Sequence, residues 1–450
     1  MQFEISKAFI EKIEHLIEQE DDQELLSHLD DMHHADIAEI LDELTLDEAT
    51  YVIKLLDSEK TAEILMEIDD DDRERVLENL TPKEIADEIE EMDTDDATDI
   101  ISNLSVEIKD EVFKNLKDRE HAQHIVELMR YDEDSAGGLM AKELIKVNEN
   151  WSITGCMKEM RAQAENVTRV HSIYVVDNKK KLKGRLSLKD LITAPSNANI
   201  ADVYIANVDY VDVHTSGEEV ARIMQKYDLE AIPVIDEIGR LVGRITVDDI
   251  IDFIRDEADK DYQMAAGISE DVDADDSIWQ LTRARLPWLV LALFGGFIAV
   301  TIAGQFESAM ANYGFLFFFM PLIAAMAGNV GVQSSAIIVQ SIAKGTLTGS
   351  VWKRLLKEVG LNVLNGFILS IILFLGSHFI LGRDYLVAFT VSIALISVII
   401  IASLVGTFVP IMLNRYKIDP ALATGPFITT SNDIFGLLIF FTIAKYMLGF

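Results

Sequence analysis

After Leu286 the chain holds five stretches apolar for long enough to cross a hydrocarbon core of ~30 Å. They lie at about 286–303, 314–343, 359–381, 385–413 and 421–448. Backbone amides find no water in such a core, so these stretches must be helices. Charge divides the chain at the same place. From Gln280 on there are ten Lys/Arg and five Asp/Glu, whereas the whole chain has 39 basic and 76 acidic side chains and a formal charge of -37. A very acidic aqueous half is joined to an almost uncharged apolar half, which excludes a single globular enzyme. It also excludes a nucleic-acid binder, which needs basic surface over the phosphates.

The charges between the spans orient them. With the N-terminus inside, the inner loops hold Lys344, Lys353, Arg354 and Lys357, then Arg415 and Lys417, and Arg283 and Arg285 precede the first span. The outer loops hold Glu307 and the pair Arg383/Asp384. Positive charge lies inside at every crossing, so we expect a multi-pass protein of the inner (plasma) membrane, with the acidic half cytoplasmic and the C-terminus outside. Residues 1–30 lack the apolar run of a secretory signal. The single cysteine, Cys156, excludes a disulfide framework and a multi-thiolate metal site.

Two spans carry unusual residues. The second contains Met320-Pro321 and then Gly328-Asn329-Val330-Gly331-Val332-Gln333-Ser334-Ser335; the fifth contains Gly425-Pro426 and then Thr429-Thr430-Ser431-Asn432-Asp433. Pro and Gly are expected to loosen these helices, which lipid tolerates only against protein or a wet cavity. With the third span taken from 359, Asp433 is the one acidic residue well inside a span. Two readings fit it: a protonated carboxyl packing helices together, or a cation site in a wet pore. In the second, Asn329, Gln333, Thr429 and Asn432 hold the water of the ion. The small residues of 328–335 serve close helix packing, the pore, or both.

The acidic half repeats twice over. Met32, Leu44, Leu56, Ile68, Leu80, Met92, Leu104 and Leu116 are twelve residues apart, and most precede a helix N-cap candidate: Thr45, Asp57, Asp69, Thr81, Asp93 and Ser105. Units this short stack into a helical superhelix. Their acidic faces read individually as solvated surface. Further on, Tyr174-Val175-Val176-Asp177 with Gly184-Arg185-Leu186-Ser187-Leu188-Lys189-Asp190 recurs as Pro233-Val234-Ile235-Asp236 with Gly243-Arg244-Ile245-Thr246-Val247-Asp248-Asp249. Each copy predicts strand, turn, strand and a helix capped by Ser187 or Thr246. The pattern resembles paired cystathionine-β-synthase (CBS) domains, whose nucleotide-binding members bring this Ser/Thr and Asp to ribose and phosphates. That resemblance makes Ser187, Asp190, Thr246 and Asp249 candidate contacts for an adenine nucleotide such as ATP.

Acidic helical repeats, the run Tyr131-Asp132-Glu133-Asp134-Ser135-Ala136-Gly137-Gly138-Leu139-Met140, two CBS-like modules and five spans follow one another here. This order resembles the MgtE family of magnesium channels across essentially the whole chain. The resemblance implies a multidomain membrane protein: an all-α superhelical N domain at 1–130, an α/β CBS pair at 131–200 and 201–252, a plug helix and linker at 253–279, and a five-helix transmembrane domain at 280–450. It implies a homodimer with the pore between subunits, and Asp433 as the carboxylate that holds hydrated magnesium. Family members also bind magnesium between cytoplasmic domains. The matching positions are Glu63, Asp95 and Asp99 in the helical domain, Glu218, Asp228, Asp249 and Asp252 in the second CBS module, and Glu257 and Asp261 on the plug. Lys260 departs from the acidic pattern there.

The expected function is a magnesium channel closed by cytoplasmic magnesium, with Mg2+ as both cargo and regulator. A nucleophile–base pair or phosphate loop is not apparent, so enzyme activity is not expected. The rival is a nucleotide-regulated secondary transporter using Asp433 as proton or ion site.

Overall fold

The structure, a computed structural model, describes residues 5–164, 167, 169–195, 198–270, 272, 274, 276–307, 313–347, 349–423 and 425–449. It divides into two compact units, Met1–Ile254 and Arg255–Phe450.

The first unit begins with a run of helices punctuated by their own caps. Helix α1 is Lys7–Glu18, α2 Asp22–Leu29, α3 His34–Asp42, α4 Leu46–Leu55, α5 Ser58–Glu67, α6 Asp70–Glu78, α7 Pro82–Ile89, α8 Thr94–Asn103, α9 Val106–Asn115 and α10 Arg119–Leu128. All six residues expected as N-caps occupy that position, from Thr45 on α4 to Ser105 on α9. At α7 the cap is complete. Glu84 N donates to Thr81 Oγ1 at 3.3 Å, Thr81 N donates to Glu84 Oε2 at 2.7 Å, and Pro82 follows where its missing N–H costs nothing. Leu56, Ile68, Leu104 and Leu116 end their helices as C-caps. The odd-numbered helices from α3 to α9 pack in succession, as do α4 on α6 and α8 on α10. One apolar core runs through the stack.

Two three-stranded sheets of identical order follow. Strand β1 (Ile145–Asn148) lies parallel to β2 (Ile173–Val176), which pairs antiparallel with β3 (Leu182–Leu186). Strands β4 (Val211–Asp212), β5 (Ala231–Ile235) and β6 (Leu241–Thr246) repeat the arrangement. The paired aspartates of the sequence repeat shape the hairpin turns: Asp177 accepts from Lys179 N and Lys181 N, and Asp236 from Ile238 N and Arg240 N. The two turns then bond to each other, Leu182 N to Gly239 O and Leu241 N to Lys180 O, so the modules dock as a pair. Helices α11 (Ile153–Ala164), α12 (Leu188–Thr193) and α13 (Gly217–Tyr227) complete them.

The run Tyr131–Met140 packs into the core of the second module through Ala136 and Met140. Ala136 N bonds Thr215 O and Gly137 N bonds Val213 O. Gly138 passes so close to its own preceding loop that a Cβ would stand 2.8 Å from Glu133 Cα. The most distinctive motif in the chain is thus a docking loop that only glycine lets close.

Helix α14, Val247–Ala266, is unbroken: the closing helix of the second module and the expected plug are one element. In the second unit the helices α15 (Ile278–Gln305), α16 (Met320–Ala343), α17 (Val351–Leu375), α18 (Tyr385–Arg415) and α19 (Gly425–Leu448) carry five candidate membrane spans. Helix α18 is central, packed against α16, α17 and α19, while α15 lies on α19.

Two expectations are corrected here. Gly425-Pro426 does not loosen the fifth span but starts α19, whereas Met320-Pro321 lies inside the candidate span Gly314–Ala343, where a 3-10 turn, Gly314–Phe319, gives way to α16. Proline in a first turn removes an N–H that has no intrahelical partner. And α17 begins at Val351 rather than 359, so Glu358 lies inside a span and Asp433 is not alone there.

Candidate functional site

Each unit presents a carboxylate site. In the second unit, α19 starts at Gly425, where φ of +45° fits glycine, and Thr429 Oγ1 donates to the Gly425 carbonyl at 3.0 Å. Two turns on, Asp433 faces a cavity of about 620 Å³. Thr429 and Thr430 share that wall, and Trp288, Gly295 and Gly296 of α15 form another. Ala266, Gly267 and Ile268, the end of α14 and the turn beyond it, close a third side. The turn is held by Gly267 (φ +83°) against Pro426 and by Ser269, whose N and Oγ both donate to Ala284 O at 3.0 and 2.8 Å. Asp433 and Thr429 therefore line one cavity.

Asn432 does not join them. It points about 100° away around the helix, is 1% exposed, and packs against Gly331 of α16. Among the described residues neither its Nδ2 nor its Oδ1 has a hydrogen-bond partner. Gly331 has no room to spare: its would-be Cβ stands 2.7 Å from Ile428 Cγ2, and Gly406 of α18 approaches its backbone from another direction. Packing thus accounts for Gly328 and Gly331. Asn329 and Gln333 sit on the exposed face of the same helix.

In the first unit, Asp93, Asp95 and Glu143 offer carboxylate oxygens all within 4.8 Å of one another, the one such grouping among the described residues. Asp93 caps α8, and Asp95 lies in its first turn. Glu143 reaches in from the segment before β1, accepting from Thr94 N at 3.1 Å and Thr94 Oγ1 at 2.8 Å. Burial and mutual repulsion push the aspartates of this neighbourhood up. Asp93 rises to about 6, burial and Glu143 outweighing the Arg244 guanidinium 3.4 Å away. Asp96 rises to about 8 through burial and the field of Asp249. Asp99 rises to about 7 through burial, against the pull of Arg73. Asp95 and Asp249 are raised as well, burial again the main cause. Asp95 Oδ1 is buried and accepts no hydrogen bond among the described residues. An oxygen-only donor set with an orphaned carboxylate oxygen fits a hard divalent ion. With Mg–O near ~2.1 Å, inner-sphere oxygens stand about 3 to 4 Å apart, so a small closure of these side chains, or retained water, would be needed to seat such an ion.

The structure thus brings Asp95, Asp99 and Asp249 into one neighbourhood and adds Asp93, Asp96 and Glu143, which the sequence reading missed. Glu143 had no local pattern to betray it. Glu63 instead accepts from His34 Nδ1 at 2.9 Å. Asp228 is the left-handed cap of α13, near whose start Glu218 lies. Glu257 pairs with Lys260 at 3.4 Å, and Asp252 and Asp261 lie on α14 outside the grouping. The four nucleotide candidates form two capping interactions: Ser187 Oγ donates to Asp190 at 2.6 Å and Thr246 Oγ1 to Asp249 at 2.6 Å.

Family comparisons agree with this architecture. A divalent cation transporter domain of the MgtE type matches residues 320–443, the MgtE intracellular N domain 32–134, and CBS domains 136–197 and 200–256. Over 342 residues the chain is 36% identical to the magnesium transporter MgtE of Thermus thermophilus, covering 74% of this chain and 75% of that one. The chain belongs to the MgtE family. It is also 37% identical over 318 residues to the magnesium transporter MgtE of Bacillus subtilis, covering 70% of each chain. The crystal structure of the cytosolic domain of the Mg2+ channel MgtE in complex with ATP superposes with a TM-score of 0.51 at 33% identity, covering 54% of this chain and 99% of that one. The soluble part of a magnesium transporter gives a TM-score of 0.51 at 29% identity, covering 55% and 98%.

Proposed function

We propose that this MgtE-family protein is a magnesium channel of the inner membrane, working as a homodimer, that passes Mg2+ down its gradient and closes when cytoplasmic Mg2+ is plentiful. The observation that carries the reading is a carboxylate inside a span, Asp433, facing a cavity whose side is closed by the end of α14. Removing a carboxylate from water costs several kcal/mol. A strongly hydrated dication that keeps much of its water is the cargo such a site suits. The exposed amides Asn329 and Gln333 extend a polar path on α16, facing a second subunit across the pore. The acidic half lies in the cytoplasm and the C-terminus outside.

Regulation follows from electrostatics. The acidic half repels itself, and buried carboxylates around Asp95, Asp99 and Asp249 are uncompensated until protons or cations arrive. Magnesium there, and at separate sites drawing on Glu63, Glu218, Asp228, Asp252, Glu257 and Asp261, favours the compact closed state. Depletion empties these sites, repulsion opens the domains, and α14 leaves the Asp433 cavity. The relatives named as magnesium transporters support the cargo, and the relative whose cytosolic domain was crystallised with ATP supports nucleotide binding by the cytosolic half, with Ser187, Asp190, Thr246 and Asp249 as candidate contacts and Asp190 and Asp249 for the ribose.

The test is Mg2+ flux into proteoliposomes with and without magnesium on the cytoplasmic side. Flux that internal magnesium suppresses is expected. Absence of flux, or flux indifferent to internal magnesium, overturns the reading.

A further inference from the structure

Glu358 is a charged residue inside a span that the proposed pore does not use. Its carboxylate accepts from Ser334 Oγ of α16 at 2.7 Å and from Asn362 Nδ2 at 2.9 Å. The same Asn362 amide also donates to Glu358 O at 3.1 Å, and both Ser334 and Asn362 are 4% exposed. Arg354 lies one turn away on the same face, the spacing at which helical ion pairs form. Yet among the described residues Glu358 makes no ion pair with it and turns toward α16 instead. A carboxylate placed only to sit at the membrane surface would face water or that arginine.

The packing says what this bond holds. Helix α17 leans on α18, with Gly366 against Ile396 and Ser370 Oγ donating to Ser392 O at 2.8 Å. The Ser334–Glu358 hydrogen bond ties α16 to α17 through their side chains. Ser334 lies one turn from Gly331, on the same face. Gly331 is the tight point where α16 meets Gly406 and Asn432, the neighbour of Asp433. A rotation of α16 that broke the bond would lift Gly331 from this seat and turn Asn329 and Gln333 with it.

We infer that Glu358 is a positioning residue: its carboxylate clamps α16 through Ser334 and so sets how Asn329 and Gln333 face the conduction path beside Asp433. The inference rests on the proposed role of Asp433, and its test separates the two. In a Cys156→Ser background, Gln333→Cys reports the orientation of α16 by its rate of reaction with a water-soluble thiol reagent, with no magnesium needed. Glu358→Gln keeps an oxygen that accepts from Ser334 and Asn362, so labelling should match the parent. Glu358→Leu and Ser334→Ala lose the bond, and each should change the rate roughly tenfold, as expected for a lost buried hydrogen bond to a charged group. The two effects should not add when combined. In flux assays the same pair should lower the maximal rate roughly tenfold while half-saturating Mg2+ stays within about twofold, with Glu358→Gln conducting normally.

Unchanged labelling in Glu358→Leu, additive effects in the double variant, or a Glu358→Gln protein as impaired as Glu358→Leu would each overturn the clamp. The last result would show that the charge, not the bond, is what matters. If labelling shifts as expected while the parent carries no magnesium, the clamp stands and the channel reading falls.

Discussion

Two residues on adjacent positions of α19 show how finely the membrane unit is divided. Asp433 faces the cavity, while Asn432 is sealed against Gly331. Asp433→Asn keeps the shape of its side chain and removes the charge that concentrates a dication. We expect an assembled protein whose Mg2+ flux is lost, measured in proteoliposomes against the parent. Flux equal to the parent would remove Asp433 from the pathway. Gly331→Ala acts by volume. Its methyl would stand 2.7 Å from Ile428 Cγ2 and press on Asn432, an overpacking that costs about 1–3 kcal/mol. A lower thermal midpoint with reduced flux is expected, and a midpoint equal to that of the parent would show that α16 yields there.

Legibility differed from element to element. The twelve-residue period could be read because every unit carries its own cap, and the CBS modules because duplicated strands end in duplicated aspartates that close the turns. The start of α17 could not be read. Lys353, Arg354 and Lys357 made its first turns look like a loop, although long basic side chains reach back to the interface from a helix already under way. Glu358 was hidden by the same cations. The Ser-x-x-Asp and Thr-x-x-Asp elements were legible as helix caps, and Ser187–Asp190 and Thr246–Asp249 do bond to each other; a nucleotide contact was not legible from them, since the same four residues serve either use. Asp433 stood out because nothing charged surrounds it in sequence, whereas Asp93, Asp96 and Glu143 were lost among dozens of other carboxylates.

For the molecule as a whole, the carboxylate cluster links stability to pH and, in the proposed reading, to magnesium. The ordinary aspartate value is 3.8, whereas folding holds Asp93 at about 6, Asp99 at about 7 and Asp96 at about 8. The folded state therefore binds more protons than the unfolded state between those limits. Its stability is greatest below the unfolded value and is lost as pH rises through the folded ones. In chelator, the first unit should be less stable at pH 8 than at pH 6, by a few kcal/mol at most. Hydrogen exchange of α8 in the intact protein would show the loss. Magnesium replaces the protons, so millimolar Mg2+ should abolish the difference. Apparent Mg2+ affinity should fall on acidification, by about tenfold per pH unit for each proton displaced. Exchange in α8 that ignores both pH and magnesium would show that the cluster holds neither.

Helix α14 has no joint along its twenty residues. A shaft without a joint transmits push and twist with little loss, so in the proposed gating its stiffness is itself part of the signal. The weak places are its ends, at the Thr246 cap and at Gly267, where the chain takes a left-handed turn. Softening the middle should then do what no change at either binding site does. Ile254→Gly with Arg255→Gly, both on exposed positions, costs about 1 kcal/mol per residue of helix and touches no proposed ligand. Magnesium should still bind and still protect the carboxylate cluster from exchange, yet closure of the channel should become sluggish and incomplete. Sensing would be intact and the message lost on the way.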